Sequence, residues 1–258
     1  MPIIVDMIKN KRIVISGATG GIGREVFKLL YKDNHILAIA SNEGRLKELV
    51  SGTSSDYLVM DFNDPGSVDV ITDKFNGIDI LINIAGINDF VPYVDDVRIQ
   101  DKMNVNLISP MILTQSVLRG MLLQQSGIVV NIGSVFDSVG FPYYVSYSAS
   151  KFGLKGFSES LRREFEGSGV DVFHYSPRAV KTSMNCPKAE EHARVTDMVE
   201  DCPQEVANEI IKLISNEATV KVFGFNETIL TFLNKLSHKI ADKILGSSTD
   251  KARDIHGR

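Results

Sequence analysis

"RIVISGATGGIGREVF", residues 12–27, decides the fold of this chain. A β-branched apolar run passes without a linker into a glycine-rich turn, and the turn passes into the helical-period segment "GREVFKLLYKD". Gly17, Gly21 and Gly23 stand at G-x-x-x-G-x-G spacing. Glycine serves where a backbone turns sharply and must come close to a phosphate. The helix that follows presents unpaired N–H groups and a partial positive charge to an anion. A glycine-rich turn by itself also fits a structural tight turn. Its position between a first strand and a helix points to a nucleotide.

The same alternation continues outward. Short apolar runs recur as "HILAIA" (35–40), "YLVMD" (57–61), "IDILINIAG" (78–86), "GIVVNIGS" (127–134), "VDVFHYS" (170–176) and "VKVFGF" (220–225). Helical patterns such as "VLRGMLLQQ" and "FGLKGFSESLRREFEGSG" lie between them. Near-continuous apolar strands separated by helices imply a parallel sheet covered on both faces. The expected fold is α/β: a single doubly wound Rossmann domain of about seven parallel strands flanked by helices, over residues 1–225. Residues 226–258 form a C-terminal amphipathic helical extension and tail. Residues 177–204 carry three prolines, mixed charge and few apolar anchors, which reads as a mobile loop or short helices at the substrate.

Composition excludes several function classes. A formal net charge of -4, with both signs mixed along the chain, leaves no electrostatic footprint for nucleic acid. Cys186 and Cys202 have no partner at metal-ligand spacing and make no disulfide framework, so free thiols in a reducing compartment are expected. The five histidines are scattered, and no catalytic metal is expected. "MPIIVDMIKNKR" lacks the pattern of a secretory signal, and a cytoplasmic location is the expectation.

"YSASK" (147–151) places Tyr147 and Lys151 four residues apart, on one face of a helix. A surface pair on an amphipathic helix would look the same. At the end of the second run, Ala40, Ser41 and Asn42 stand where a dinucleotide site often carries an acid for the ribose hydroxyl. Its absence permits NADP, because a carboxylate would repel the 2′-phosphate. Ser41 and Asn42 could donate hydrogen bonds to that phosphate. No arginine stands at Ser41, and Arg45 lies further along. NADP is favoured, with NAD the alternative.

The glycine turn, "DFND" (61–64), "NIAG" (83–86), "NVN" (104–106), "IGS" (132–134) and "YSASK" occur in this order. With them the chain resembles the short-chain dehydrogenase/reductase family over about residues 10–225. The resemblance implies an oxidoreductase that interconverts a secondary alcohol and a ketone with NAD(P). Tyr147 would be the general acid/base. Lys151 would bind the nicotinamide ribose and lower the pKa of the tyrosine. Ser134 would hydrogen-bond the substrate oxygen, and Asn106 would help hold a water that relays protons to Lys151. Thr19 and Ile22 would join the three glycines at the cofactor. Asp61, with Phe62, would meet the adenine, and Asn83, Ala85 and Gly86 would form the turn beside the adenosine ribose. Val180 and Thr182, with Pro177, would meet the nicotinamide carboxamide. The chemistry is consistent: a free tyrosine has a pKa of about 10, and a nearby ammonium or oxidised nicotinamide favours the phenolate. Small Ser148 and Ala149 leave room for cofactor and substrate.

Some positions depart from the family pattern. Arg178 replaces the glycine that commonly follows Pro177. Its guanidinium could face an anionic group of the substrate, or pair with an acidic residue of the following loop. Related reductases that act on carrier-bound ketoacyl groups usually have basic residues ahead of the fifth and sixth strands. Here those places read Gln124-Gln125-Ser126 and Glu166-Gly167-Ser168, which argues against a carrier protein, although Arg162 and Arg163 lie one or two turns away. Phe136, Phe141, Tyr143, Tyr144 and Met184 could line an apolar substrate pocket or simply pack. In "ETILTFLNKLSHKIADKIL" (227–245), Ile229, Leu233, Leu236, Ile240 and Ile244 form an apolar stripe with basic residues beside it. Such a helix packs on its own domain or a partner, or makes peripheral membrane contact. The last dozen residues read as a solvated tail.

The favoured function is NADPH-dependent reduction of a lipophilic or acyl-type carbonyl substrate. A non-redox dinucleotide-binding regulatory protein and an epimerase with transient use of bound nicotinamide are the alternatives. The family implies a homodimer or homotetramer.

Overall fold

The computed structural model describes residues 8–64, 77–215, 232, 234 and 237–257. The chain opens with β1 (Arg12–Ser16), α1 (Gly21–Leu30), β2 (His35–Ala40), α2 (Glu43–Val50) and β3 (Asp56–Val59). β4 (Ile80–Asn83) is followed by α3 (Ile99–Met103), which runs through a π-helical turn, Asn104–Ile108, into α4 (Ser109–Gln124). β5 (Gly127–Ile132) leads through the 3-10 turn Val135–Asp137 to α5 (Val145–Glu164) and β6 (Val170–Tyr175). β7 (Ala179–Val180), α6 (Pro187–Val195), β8 (Glu200–Asp201), α7 (Pro203–Ile214) and α8 (His238–Ile255) complete the described elements.

The main sheet has the order β3-β2-β1-β4-β5-β6, and every pairing is parallel. The chain leaves β1 toward one edge and later returns to pair β4 on its other side. The strand order therefore reverses between β1 and β4, which opens a crevice at the carboxyl ends of these two strands. The run expected at 220–225 lies outside the described residues.

Two-residue alternation assigns the strand side chains to two apolar layers. Ile13 and Ile15 of β1 join Ile36, Ile80 and Ile82 against Phe27 and Leu30 of α1 and Val206 and Ile210 of α7. Val14 faces the other way, with Leu37, Leu81 and Val129, against Leu113, Val117 and Met121 of α4. Burying each such side chain stabilises the fold by about 1.5–3 kcal/mol. Truncation of Leu81, which is fully buried, to alanine would cost about 2–5 kcal/mol.

One row across this apolar sheet is polar. Ser16 is in register with Asn83, Asn83 with Asn131, and Asn131 with His174. Asn83 Nδ2 donates to Asn131 Oδ1 at 2.8 Å, Asn131 Nδ2 donates to Ser158 Oγ at 2.9 Å, and Ser158 Oγ meets His174 Nδ1 at 3.2 Å. Ser16 Oγ accepts from the N–H groups of Ile84 and Ala85. The row lies at the carboxyl ends of the strands, directly under the crevice.

The segment expected as a mobile loop or short helices, residues 177–204, carries one short helix, α6, and the two-stranded β7–β8 ladder. Part of the C-terminal reading changes. α8 extends to Ile255, so most of the expected solvated tail is helix. Ala241 and Ala252 are buried, Ser248 meets His192 of α6, and Lys251 Nζ donates to Val195 O at 2.6 Å. The helix thus packs on its own chain, against α6. Ile229, Leu233 and Leu236 lie outside the described residues, as do the side chains of Ile240 and Ile244. Among the described residues no helix is long and apolar enough to cross a membrane.

Candidate active site

The glycine turn forms one wall of the crevice. Gly17 has φ +69°, and a Cβ there would stand 2.7 Å from backbone atoms of Ala85. Only glycine fits a left-handed turn pressed onto another backbone. A Cβ on Gly23 would overlap Gly17 O, which holds the turn against the start of α1. No side chain caps that helix at Gly20, so its first N–H groups stay available to an anion. On the opposite side, a Cβ on Gly21 would stand 2.7 Å from Thr182 Cγ2. The segment after β7 is therefore folded down onto the turn.

A cavity of about 460 Å³ runs along this crevice. Gly17, Thr19, Gly21, Ile22 and Gly23 line one end, with Ser41, Asp61, Phe62, Ala85 and Gly86. Pro177, Val180 and Thr182 line it from the other side. Two expected cofactor residues are placed differently. Asn42 Oδ1 accepts the Arg45 N–H at 2.9 Å as the N-cap of α2, so its oxygen serves the helix. Asn83 is buried beneath the crevice, where Nδ2 reaches Thr114 Oγ1 and Asn131 Oδ1. It supports the floor and does not line the cavity.

Asn106 sits in the π-helical turn, a geometry that recurs at functional sites. Its Nδ2 donates to Ile87 O at 2.9 Å and Ser150 Oγ at 3.0 Å, and its Oδ1 accepts the Ile87 N–H at 2.8 Å. Both amide hydrogens are engaged, so the side chain ties the turn after β4 to α5.

α5 carries the expected pair. Tyr147 is 8% exposed and Lys151 4%, which rules out a surface pair. Lys151 Nζ donates to Ile132 O at 2.9 Å and lies 5.8 Å from the centroid of the Tyr147 ring. The Tyr147 phenol shares a hydrogen bond with Ser134, and all three residues line the cavity. One electrostatic expectation is corrected. Burial pushes Tyr147 up to about 12; the Ser134 hydrogen bond pulls it back, and the Asp137 carboxylate pushes it further up. Burial draws Lys151 itself down to about 8. In the protein alone, desolvation thus outweighs the pull of the ammonium on the phenol.

Beyond Tyr147 the cavity is lined by Phe136, Tyr144 and Met184, with Ala189, Ala193 and Met198 around α6. Phe141 stacks behind Phe136 at 4.2 Å, and Tyr143 packs on Phe90 and His256. Phe141 is therefore a second layer and not a lining residue. Arg178 reaches the cavity edge, but its guanidinium grips Asp201 through Nε at 3.2 Å and through a second contact, Nη2 to Oδ1. The pairing within the loop is the reading the structure supports.

Sequence reasoning missed the apolar contribution of α6. It also missed Asp137, whose carboxylate lies under Ser134. Ser134 and Asp137 form a capping box, and their S-x-x-D spacing was the available signal. Among the described residues no three His, Cys, Asp or Glu side chains converge as metal ligands.

Comparison with known proteins identifies the family. The model of the family described as short chain dehydrogenase matches residues 11–193. A 3-oxoacyl-acyl-carrier-protein reductase of Vibrio cholerae is 30% identical over 226 residues, 82% of this chain and 92% of the relative. The Escherichia coli protein of the same description is 30% identical over 224 residues, covering 81% and 92%. A Beutenbergia cavernae structure, described as a candidate NAD(P)-dependent gluconate 5-dehydrogenase with NADP bound at low occupancy, superposes with a TM-score of 0.73 at 26% identity, covering 82% and 92%. A Burkholderia cenocepacia short-chain dehydrogenase shares the fold, with a TM-score of 0.78 at 19% identity, covering 92% and 98%. The family match spans well over half the chain, and its relatives are covered nearly end to end. The chain therefore belongs to the short-chain dehydrogenase family, NAD(P)-dependent oxidoreductases acting on CH–OH groups.

Proposed function

We propose that this chain reduces a lipophilic or acyl-type ketone to its secondary alcohol with NADPH. One observation carries the reading. A single cavity joins the glycine turn, the Tyr147–Ser134 hydrogen bond and the apolar wall of Phe136, Tyr144, Met184 and Met198. A carbonyl held against Ser134 would have its oxygen beside the phenol and its apolar substituents against that wall. Bound NADPH supplies the hydride. Ser134 hydrogen-bonds the carbonyl oxygen as its negative charge grows. Tyr147, which its raised pKa keeps protonated at neutral pH, gives its proton to that oxygen. Lys151, anchored on Ile132 O, orients the cofactor ribose and places positive charge beside the phenolate that remains.

The preference for NADPH is supported by Ser41 at the end of β2, where no carboxylate opposes a 2′-phosphate. The names of the bacterial relatives support an acyl-type substrate. Gln124, Gln125, Ser126 and Glu166 offer no positive charge to an acidic carrier protein, which favours a small acyl thioester or free ketone. Ile99, Met111, Val145 and Phe152 are exposed apolar side chains on α3, α4 and α5, a surface suited to a second copy in a homodimer or homotetramer.

Tyr147→Phe tests the core of the proposal. It should lower kcat/KM on short 3-oxoacyl thioesters or lipophilic ketones by about 10²–10⁴-fold while NADPH affinity is kept. Full turnover by Tyr147→Phe would refute the assignment. Tighter binding of NADH than NADPH would refute the cofactor choice.

A further inference from the structure

Beneath Ser134 lies a buried charged cluster that the reaction above does not use. Asp137, at the end of the 3-10 turn, is almost wholly buried. Its Oδ2 accepts the Ser134 N–H at 3.2 Å and meets His174 Nε2 of β6 at 2.8 Å. Its Oδ1 accepts from Ser138 Oγ at 2.7 Å and meets Lys155 Nζ of α5 at 3.3 Å. Ser176 Oγ donates to it as well. The backbone is shaped for this carboxylate: a Cβ on Gly133 would overlap both Asp137 Oδ2 and His174 Nε2.

We propose that Asp137 is a positioning residue for the reacting groups: it fixes the Ser134 backbone by accepting its N–H and holds a permanent negative charge beneath the Tyr147–Lys151 face. The inference rests on Tyr147 as the proton donor. The carboxylate stays ionised at every working pH, because His174, Ser176 and Lys155 hold it down at about 2 despite its burial. Its charge opposes ionisation of the Tyr147 phenol and favours the Lys151 ammonium. Asp137 is faced by His174 from β6 and by Lys155 and, at longer range, Lys151 and Tyr147 from α5. Tyr147 is faced by Ser134, Tyr144, Lys151 and, at longer range, Asp137. The charge thus keeps the donor protonated and extends proton delivery toward alkaline pH.

Two variants of the full chain separate this role from simple bracing. Asp137→Asn keeps the size and an acceptor for the Ser134 N–H but removes the charge. Lys155→Met removes the opposing cation and leaves the carboxylate in place. The readouts are the alkaline limb of kcat/KM for ketone reduction and the ultraviolet titration of tyrosinate with NADP⁺ present, taken as the difference from Tyr147→Phe. Asp137→Asn should move both down by about one pH unit, and Lys155→Met should move both up. Opposite shifts in the tyrosinate titration, even with no turnover on any ketone, would support the positioning role while removing the proposed function. A titration unmoved in Asp137→Asn, or shifts of one sign in both variants, would overturn the inference. If Asp137→Asn does not fold, Lys155→Met alone decides: an unmoved or lowered titration refutes it.

Discussion

Lys151→Met should make the protein more stable at neutral pH while abolishing its use of the cofactor. The ammonium is buried at 4% exposure and donates to Ile132 O. Burial draws its pKa from 10.5 down to about 8. At about 1.4 kcal/mol per pH unit, folding with this charge inside costs about 3 kcal/mol. Methionine has similar length and no charge. It forfeits the hydrogen bond to Ile132 O, a loss of about 1 kcal/mol. The net gain at pH 7 is about 2 kcal/mol. The gain depends on pH in a defined sense. Between about 8 and 10.5 the unfolded chain binds a proton at this site that the folded chain has released, so wild-type stability rises with pH there. The methionine chain has no such rise. Its advantage should shrink across that window and reverse to a deficit of about 1 kcal/mol above it. Urea unfolding of both chains without cofactor, at pH 7 and at pH 10, reads the gap directly. A Lys151→Met chain less stable than wild type at pH 7, or a gap that is the same at both pH values, would refute the reasoning.

Other predictions follow from the same geometry. Gly17→Ala forces a Cβ to within 2.7 Å of the Ala85 backbone at φ +69°; it should cost about 1–3 kcal/mol of stability by thermal melting, with NADPH affinity falling in a calorimetric titration. Asp201→Asn takes the carboxylate from Arg178 and loosens the β7–β8 ladder; a loss of about 1 kcal/mol corresponds to roughly fivefold in KM, with kcat little changed and faster protease cleavage between residues 181 and 199. Asp137→Asn should lower stability by about 2 kcal/mol at pH 7. Asp137 is held at about 2 against an ordinary 3.8, so its contribution is present above that ordinary value and fades as pH falls toward about 2; unfolding at pH 7 and pH 3 should show the gap narrowing.

Much of this arrangement was legible because it rests on local signals. Strand and helix periods announced the parallel sheet, and the glycine spacing after β1 announced the cofactor turn. Tyr147 and Lys151 were legible because a helix maps a four-residue spacing onto one face. What was hidden depends on contacts distant in sequence. Asn42 could serve a phosphate or cap α2, and only the start of that helix at Glu43 decides. Arg178 met an acid 23 residues away because β7 and β8 pair. Phe141 and Phe136 are equally aromatic, and only their stacking order separates lining from backing. The high pKa of Tyr147 follows from desolvation, a property of everything packed around it that a four-residue motif cannot express.

The polar row of Ser16, Asn83, Asn131 and His174 has a consequence for assembly of the sheet. Parallel strands that are apolar on both faces carry little information about their own alignment. Two residues earlier along the same strands stand Val14, Leu81, Val129 and Val172, all apolar and buried. A two-residue slip of any one strand would preserve its inward face, yet it would push an amide or imidazole against a valine or leucine. Each polar group stranded in this way would cost about 1–3 kcal/mol. The row is therefore an index mark, which lets four strands distant in sequence find one shared alignment. The same alignment brings the carboxyl ends of β1, β4 and β5 level under the crevice.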